Sequence, residues 1–353
     1  TSAYGPTSSG KTAVGSASSN STSVGTKSSI ELRGHGYGHG IGMSQYGARG
    51  GASTGKGAGD ILATYYPGTK IALRSRVIRV LISADNDGST TIRSQSGLRF
   101  RQGSTDIALP TSVGGTPVSY WKIGPYAENP RQSTLRYKAG SSWQAYQNRV
   151  WTGPAEFAGA TVSLQLPSGD VTKYRGRLVA AQPSSTSTER RTVNVVDLND
   201  YVRGVVAREM PASWPTEALR SQAIAARTYG LRSISGSGYY DICDTTSCQV
   251  YGGFSAEDSR TNGAVDSTRD KVLMYGSAVA LTQFSSSSGG FTNSGSQPYL
   301  KAVNDPWDGI SGNPNHDWSA SVSVDAIERR YPAIGSLQTL EVTKRNGHGE
   351  MGG

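Results

Sequence analysis

The stretch DLNDYVRGVVAREMPASWPTEALRSQAIAARTYGL, residues 197–231, decides the architecture, because it reads as two helices meeting at a corner. Leu198, Tyr201, Val202, Val205 and Val206 follow the i, i+3, i+4, i+7 spacing of a buried helical stripe. Continued by three or four residues, the stripe lands on Glu209, a carboxylate just before Met210 and Pro211. A second helix follows. Ser213 or Trp214 suits its cap, Pro215 its first turn, and Glu217 its positive end. Ala218, Leu219, Gln222, Ala223, Ala226 and Tyr229 or Gly230 form its inward face, with small alanines that let the first helix approach, and Arg220 and Arg227 share one side. Burial of Glu209 against Val205, Val206 and Trp214 would raise its pKa, and Arg208 or Arg227 would lower it. Two readings follow: a general acid held protonated near neutral pH, or an ion pair across a helix corner.

Around this pair the chain changes texture. Residues 1–29 are Ser/Thr/Gly-rich and read as a disordered linker. Within them GPTSSGKT, residues 5–12, matches the phosphate-loop pattern, but neither the buried strand before it nor the helix after it that such a loop needs is present in the sequence. Residues 30–72 are a glycine-dense block ending in a short helical piece, GDILATYY, stopped by Pro67 and Gly68. Residues 73–192 are β-rich, with VIRVLIS, TTIRSQ, ATVSLQL and TKYRGRLVAA as strand candidates. Residues 193–353 open on TVNVV, pass through the helix pair, and include a small helix at 323–334; LEVTKRNGHGEMGG, 340–353, breaks off in mid-pattern, as an excised fragment or a disordered tail would. The fold expected is α+β: a mixed helix/strand catalytic core with a β-rich insertion domain.

Composition narrows the function classes. At 353 residues the chain has material for two or three domains. Its formal net charge of +9 favours an anionic partner: nucleic acid, an acidic membrane face or an anionic wall polymer. Without a dense Lys/Arg run interleaved with aromatics, nucleic acid is disfavoured. No stretch reaches the roughly 20 apolar residues of a membrane span. No charged-then-apolar leader opens the chain, so it reads as cytosolic or as a chain whose export signal has been removed. Cys243 and Cys248, five apart in DICDTTSCQVYGG, favour export; a local disulfide suits them best, with free thiols and a metal site as alternatives. Trp121, Trp143 and Trp151 read as core rather than as a sugar-stacking surface, because tryptophan is mostly buried.

Two glycine-rich segments are candidate sites. GHGYGHGIGMSQYG places His35 and His39 among alternating glycines, which argue against a helix and for a tight turn exposing amides and imidazoles. FSSSSGGFT, residues 284–292, can present hydroxyls and amides at close range. A serine nucleophile there would need a histidine base, with His35, His39 and His316 eligible, and the segment is not the G-x-S-x-G elbow.

Taken together, the 193–231 helix pair with its strand, CQVYGG, FSSSSGGFT, QPYLKAV and the GHG…YYPGTKI block resemble the SpoIID/LytB family, the stage II sporulation protein D and amidase-enhancer group. The pieces span about half of the chain. A GHG…YYPGT block ahead of the core is similar to secreted actinobacterial members, whereas in sporulation relatives it comes last. The resemblance implies a lytic transglycosylase that cuts the MurNAc–GlcNAc bond of peptidoglycan glycan strands and leaves a 1,6-anhydro end, with Glu209 of the EMP motif as catalytic residue. It implies a groove carrying Arg227, Gln249, Tyr251, Ser287, Ser288, Gly289, His39 and Gln45, with Tyr251 stacking on a sugar and Arg227 holding charge. Some sporulation relatives bind zinc near the cysteine loop; DICDTTSC offers no histidine, so no metal and no cofactor is assigned. A secreted or envelope location follows. A non-catalytic wall-binding module that recruits or enhances an amidase is the alternative.

Overall fold

A computed structural model describes residues 21–341; the GPTSSGKT segment, the rest of residues 1–20 and the tail from 342 lie outside the described residues. The fold is mixed α+β and divides into two compact units. The first holds Ile71–Ser213 and Gln222–Ala280. The second holds the described residues up to Lys70, Trp214–Ser221, and those from Leu281 onward. This division departs from the one expected at 72/73 and 192/193, for a physical reason in each unit.

In the first unit the expected boundary at 192 runs through a sheet. Arg191–Asp197 pairs antiparallel with Arg177–Ala181 on one side and with Val77–Leu81 on the other. That sheet continues through Ala155–Ala158, Arg99–Gln102 and Thr105–Ala108, and Ile242–Cys243 adds a parallel strand at its far edge. A second antiparallel sheet runs Ser142–Trp151, Asn129–Ala139, Thr116–Tyr126, Thr90–Arg93, Val162–Gln165, Val171–Tyr174. TKYRGRLVAA, one strand by pattern, is two strands in different sheets. The break is at Gly176, whose φ of 71° suits glycine and whose Cβ position lies 2.4 Å from the Val195 carbonyl oxygen. Alternation sends Trp121, Ile123, Leu135, Ile92 and Leu164 inward, all fully buried. Phe100 against Trp151 (centroids 5.2 Å apart) and the Thr90–Thr192 hydroxyl pair (2.6 Å) join the two sheets.

The second unit joins the two ends of the described chain. Ser29–His35 pairs along its whole length with Asp317–Ser323, and Ser21–Ser23 pairs with Thr339–Glu341. The linker expected over 1–29 is therefore structured from residue 21, and apolar Val24 is 1% exposed. Helices α1 (Gln45–Ser53) and α2 (Ala58–Tyr65) follow the glycine-rich turn. The Tyr66 hydroxyl, completely buried, accepts from the Met43 amide and donates to the Gln283 carbonyl, so the 30–72 block belongs with the segment after 281. Helices α3 (Leu198–Glu209), α4 (Thr216–Ser233), α5 (Ser259–Ser267) and α6 (Val324–Arg330) complete the helical set. Among the described residues no helix is long and apolar enough to cross a membrane.

Candidate active site

The stripe expected in α3 is present: Leu198, Tyr201, Val202, Val205 and Val206 are completely or almost completely buried. Asp197 caps the helix, its carboxylate accepting from the Asn199 amide at 2.9 Å. Glu209 is the last helical residue and is 7% exposed. That is a costly place for a carboxylate: burial removes water, and the helix C-terminus carries partial negative charge. Its charge reaches the hydroxyl of Tyr201, whose pKa stands well above the ordinary value, first through burial and then through the neighbouring Tyr251 and Glu209.

The loop that follows α4 and the Ile242–Cys243 strand builds the rest of this cluster. The Tyr201 hydroxyl donates to Gln249 Oε1 at 2.9 Å, and the Tyr201 and Tyr251 rings lie 5.0 Å apart. Gln249 is 2% exposed, and its Nε2 has no hydrogen-bond partner among the described residues. Gln222 of α4 is completely buried, with both amide atoms in the same condition. Gly230 of the same helix sits against the Tyr201 ring, where a Cβ would stand 3.1 Å from it. Buried amides without protein partners mark positions where water or a ligand completes the bonding.

Two expected groove residues have other work. Arg227 is 0% exposed; its guanidinium donates to Asn199 Oδ1 and to the carbonyls of Ala223, Lys271 and Val265. Desolvation pulls its pKa down to about 10, so it is a charged tie inside the first unit rather than a substrate contact. Tyr251 is 5% exposed, and its hydroxyl donates to Asn194 Oδ1 at 2.7 Å, so its ring packs on tyrosines and offers no face to a sugar. Gly204 makes that packing possible: a Cβ there would stand 2.6 Å from the Tyr251 ring and 3.0 Å from the Gly253 carbonyl. Gly204→Ala is accordingly expected to cost about 1–3 kcal/mol of stability, read as a lower urea midpoint at unchanged slope. Cys243 and Cys248 form a disulfide with Cα atoms 5.6 Å apart.

The remaining candidates lie in the second unit. Gly36, Gly38, Gly40 and Gly42 all have positive φ, which explains glycine at every second position of GHGYGHGIG. The turn they make is tight: a Cβ at Gly42 would stand 2.1 Å from the Gln283 carbonyl oxygen. His39 is a fixed part of it. Its Nδ1 accepts from the Ile41 amide at 2.9 Å, and burial pushes its pKa down against a hydrogen bond to the Phe284 backbone, so the ring is neutral near pH 7. Gln45, 7% exposed, opens α1 behind Ser44, whose hydroxyl caps the helix by accepting from the Gly47 amide.

Ser287, Ser288 and Gly289 converge on two aspartates that the sequence reading did not single out. Asp308, completely buried, accepts from Ser44 Oγ (2.6 Å), Ser287 Oγ (2.7 Å), the Ser288 and Gly289 amides (3.0 Å each) and His316 Nδ1 (2.9 Å). Ser288 Oγ donates to Asp305 at 2.8 Å. The serine hydroxyls thus donate to carboxylates, and the imidazole of His316 is directed to Asp308 rather than to a serine. This is a braced backbone, not a nucleophile with its base. In sequence these acids look like turn residues of NDPWDGI; their partners are as far away as Ser44, so no local signal finds them.

Burial and the charge of Asp308 raise the Asp305 pKa to about 6. Between about pH 4 and pH 6 the folded protein keeps a proton that the unfolded chain releases, so stability falls as pH rises through this window. The shift corresponds to about 3 kcal/mol. Asp305→Asn is expected to flatten the pH dependence of unfolding free energy between pH 4 and pH 6.5; an unchanged slope contradicts the assignment.

Residues 186–275, which contain α3, α4 and the Gln249–Tyr251 loop of the cluster, match the SpoIID family, described as stage II sporulation protein. The chain is 39% identical over 135 residues to the amidase enhancer of Bacillus subtilis (strain 168), covering 36% of this chain and 18% of that protein. It is 31% identical over 194 residues to stage II sporulation protein D of the same organism, covering 48% and 52%. An uncharacterized protein of Brachyspira hyodysenteriae is 36% identical over 155 residues, covering 39% and 42%. The aligned part thus spans 18% to 52% of the length of these curated relatives.

Proposed function

We propose, since the chain carries a SpoIID domain over residues 186–275, that it acts on the bacterial cell wall as a lytic transglycosylase with Glu209 as its acid and base. The observation that carries this reading is Glu209 itself: a carboxylate 7% exposed at the C-terminal end of a helix, where stability alone would select an apolar residue. One carboxylate is enough for this chemistry. Glu209 gives its proton to the glycosidic oxygen as the C1–O bond breaks. The 6-hydroxyl of the same MurNAc ring then attacks C1 and returns its proton to the carboxylate. An ordinary glycosidase needs a second carboxyl to attack or to activate water; the intramolecular attack removes that need and the entropy of recruiting water.

Gln222 and Gln249 supply amide donors and acceptors for ring hydroxyl or acetamido groups, consistent with their lack of protein partners. Arg227 and Tyr251 act one layer behind, holding α3, α4 and the 249–252 loop in place. In the second unit, Ser287, Ser288, Gly289, His39 and Gln45 are assigned to substrate contact through rigid backbone. The net charge of +9 suits an anionic wall polymer, and a secreted or envelope location goes with that substrate. The test is digestion of purified glycan strands by wild type and Glu209→Gln: anhydro ends from the first and none from the second are expected, and equal release refutes the assignment. The similarity to a protein named amidase enhancer favours a second reading, recruitment or stimulation of a wall amidase. Stimulation of a purified amidase that Glu209→Gln retains in full, with no anhydro ends from wild type, supports that reading.

A further inference from the structure

Of the three tryptophans in the β-rich region, Trp121 is completely buried, and Trp151 packs on Phe100. Trp143 is different. It is half-buried on the outer face of the sheet, in a groove of 260 Å³, with Tyr120, Lys122 and Lys138 beside it. The register explains the grouping. Trp143 pairs with Lys138 across one ladder and Lys138 with Tyr120 across the next, so the three stand in one row; Lys122, two residues on from Tyr120, shares the face and pairs with Thr91. The Lys122 ammonium lies 4.7 Å from the Trp143 ring centroid, and the Tyr120 and Trp143 rings are 6.5 Å apart.

Two polar atoms at the groove lack partners. Thr91 lines it at 8% exposure, and its Oγ1 meets no donor or acceptor among the described residues. Gln165 Oε1, also lining it, is buried in the same state. Both atoms are themselves buried, so they lie in the groove wall, and the Trp143 and Tyr120 rings with the two lysines are what the groove presents. An aromatic platform with flanking polar groups is the surface that takes the apolar face and hydroxyl edge of a pyranose ring. The charge adds a constraint: two lysines and Asp87 give the lining a formal charge of +1, which one carboxylate neutralises and a phosphate ester of charge near −2 exceeds.

We propose that this groove is a second saccharide site, separate from Glu209, that takes one pyranose carrying a single carboxylate. The choice of a wall sugar as its ligand rests on the functional reading above; the groove chemistry does not. A carbohydrate anchor on the β-rich sheet would hold the protein on its polymer while Glu209 acts elsewhere along it.

The test is NMR titration of the whole chain, following the Trp143 indole signal, with N-acetylmuramic acid, N-acetylglucosamine and N-acetylglucosamine 6-phosphate. The carboxylated sugar is expected to bind about tenfold or more tightly than the neutral one, the worth of a charge-assisted contact, and more tightly than the phosphate. Trp143→Ala should abolish this site, followed then through Tyr120. Lys138→Gln, an exposed-face change that leaves the platform standing, should remove the preference over N-acetylglucosamine. Equal binding of the acidic and neutral sugars, preference for the phosphate, or no shift at Trp143 overturns the proposal. Anhydro-product formation with no binding at Trp143 refutes this site alone; binding at Trp143 by a protein that forms no such product refutes the transglycosylase reading alone.

Discussion

Glu209→Gln is expected to lower glycan-strand cleavage by roughly 10²–10⁴-fold, the range lost when a general acid–base group is removed. Glutamine keeps the shape of the side chain at the end of α3 but neither protonates the leaving oxygen nor accepts the proton of the attacking hydroxyl. The urea midpoint of the variant, read beside its turnover, reports any structural share of this buried side chain. The two readouts separate a catalytic role from a structural one. A residue kept for packing would lose stability along with activity; a catalytic one loses activity alone. If Glu209 instead pairs across the helix corner for stability, the variant should unfold at lower denaturant while turnover in the remaining folded protein stays near wild type.

Asp308→Ala should act in the opposite manner, destabilising the second unit by about 3–5 kcal/mol, the usual result of deleting the acceptor in a buried charged network. Two hydroxyls, two backbone amides, an imidazole and the Asn313 side chain donate to this carboxylate, and its removal takes that acceptor from all of them. Hydrogen exchange reads the loss locally: the Ser288 and Gly289 amides should exchange far faster. Asp308→Asn should fall between wild type and alanine, since its amide keeps one oxygen and turns an NH2 toward donors. A loss below about 1 kcal/mol for the alanine variant, within the range of an ordinary single hydrogen bond, would show that the Ser287–Gly289 loop is held by other contacts.

The helix pair was legible because its signals are local. A 3.6-residue apolar stripe, Pro215 before the second helix and alanines along the contact need no knowledge of distant chain. Glu209 was legible for the same reason, as the carboxylate where the stripe should have stayed apolar. Arg227, placed in the groove by the resemblance, is a different case. Its spacing from Arg220 puts the two on one side of the helix and says nothing of burial, while its partners at Asn199, Val265 and Lys271 come from three other segments. The strands Thr116–Tyr126, Asn129–Ala139 and Ser142–Trp151 carried little strand signal, because one face of their sheet is solvated and Pro117, Pro125, Pro130 and Gly124 interrupt the pattern. The pairing of Ser29–His35 with Asp317–Ser323 joins segments almost three hundred residues apart, beyond any periodicity.

The most direct test of the central claim is the mass of the ends released from purified glycan strands in ¹⁸O-labelled water. Intramolecular attack through Glu209 predicts muramyl ends one water lighter than hydrolysis products, with no ¹⁸O incorporated, and none of them from Glu209→Gln. Ends that carry ¹⁸O, or anhydro ends formed equally well by the variant, would contradict it.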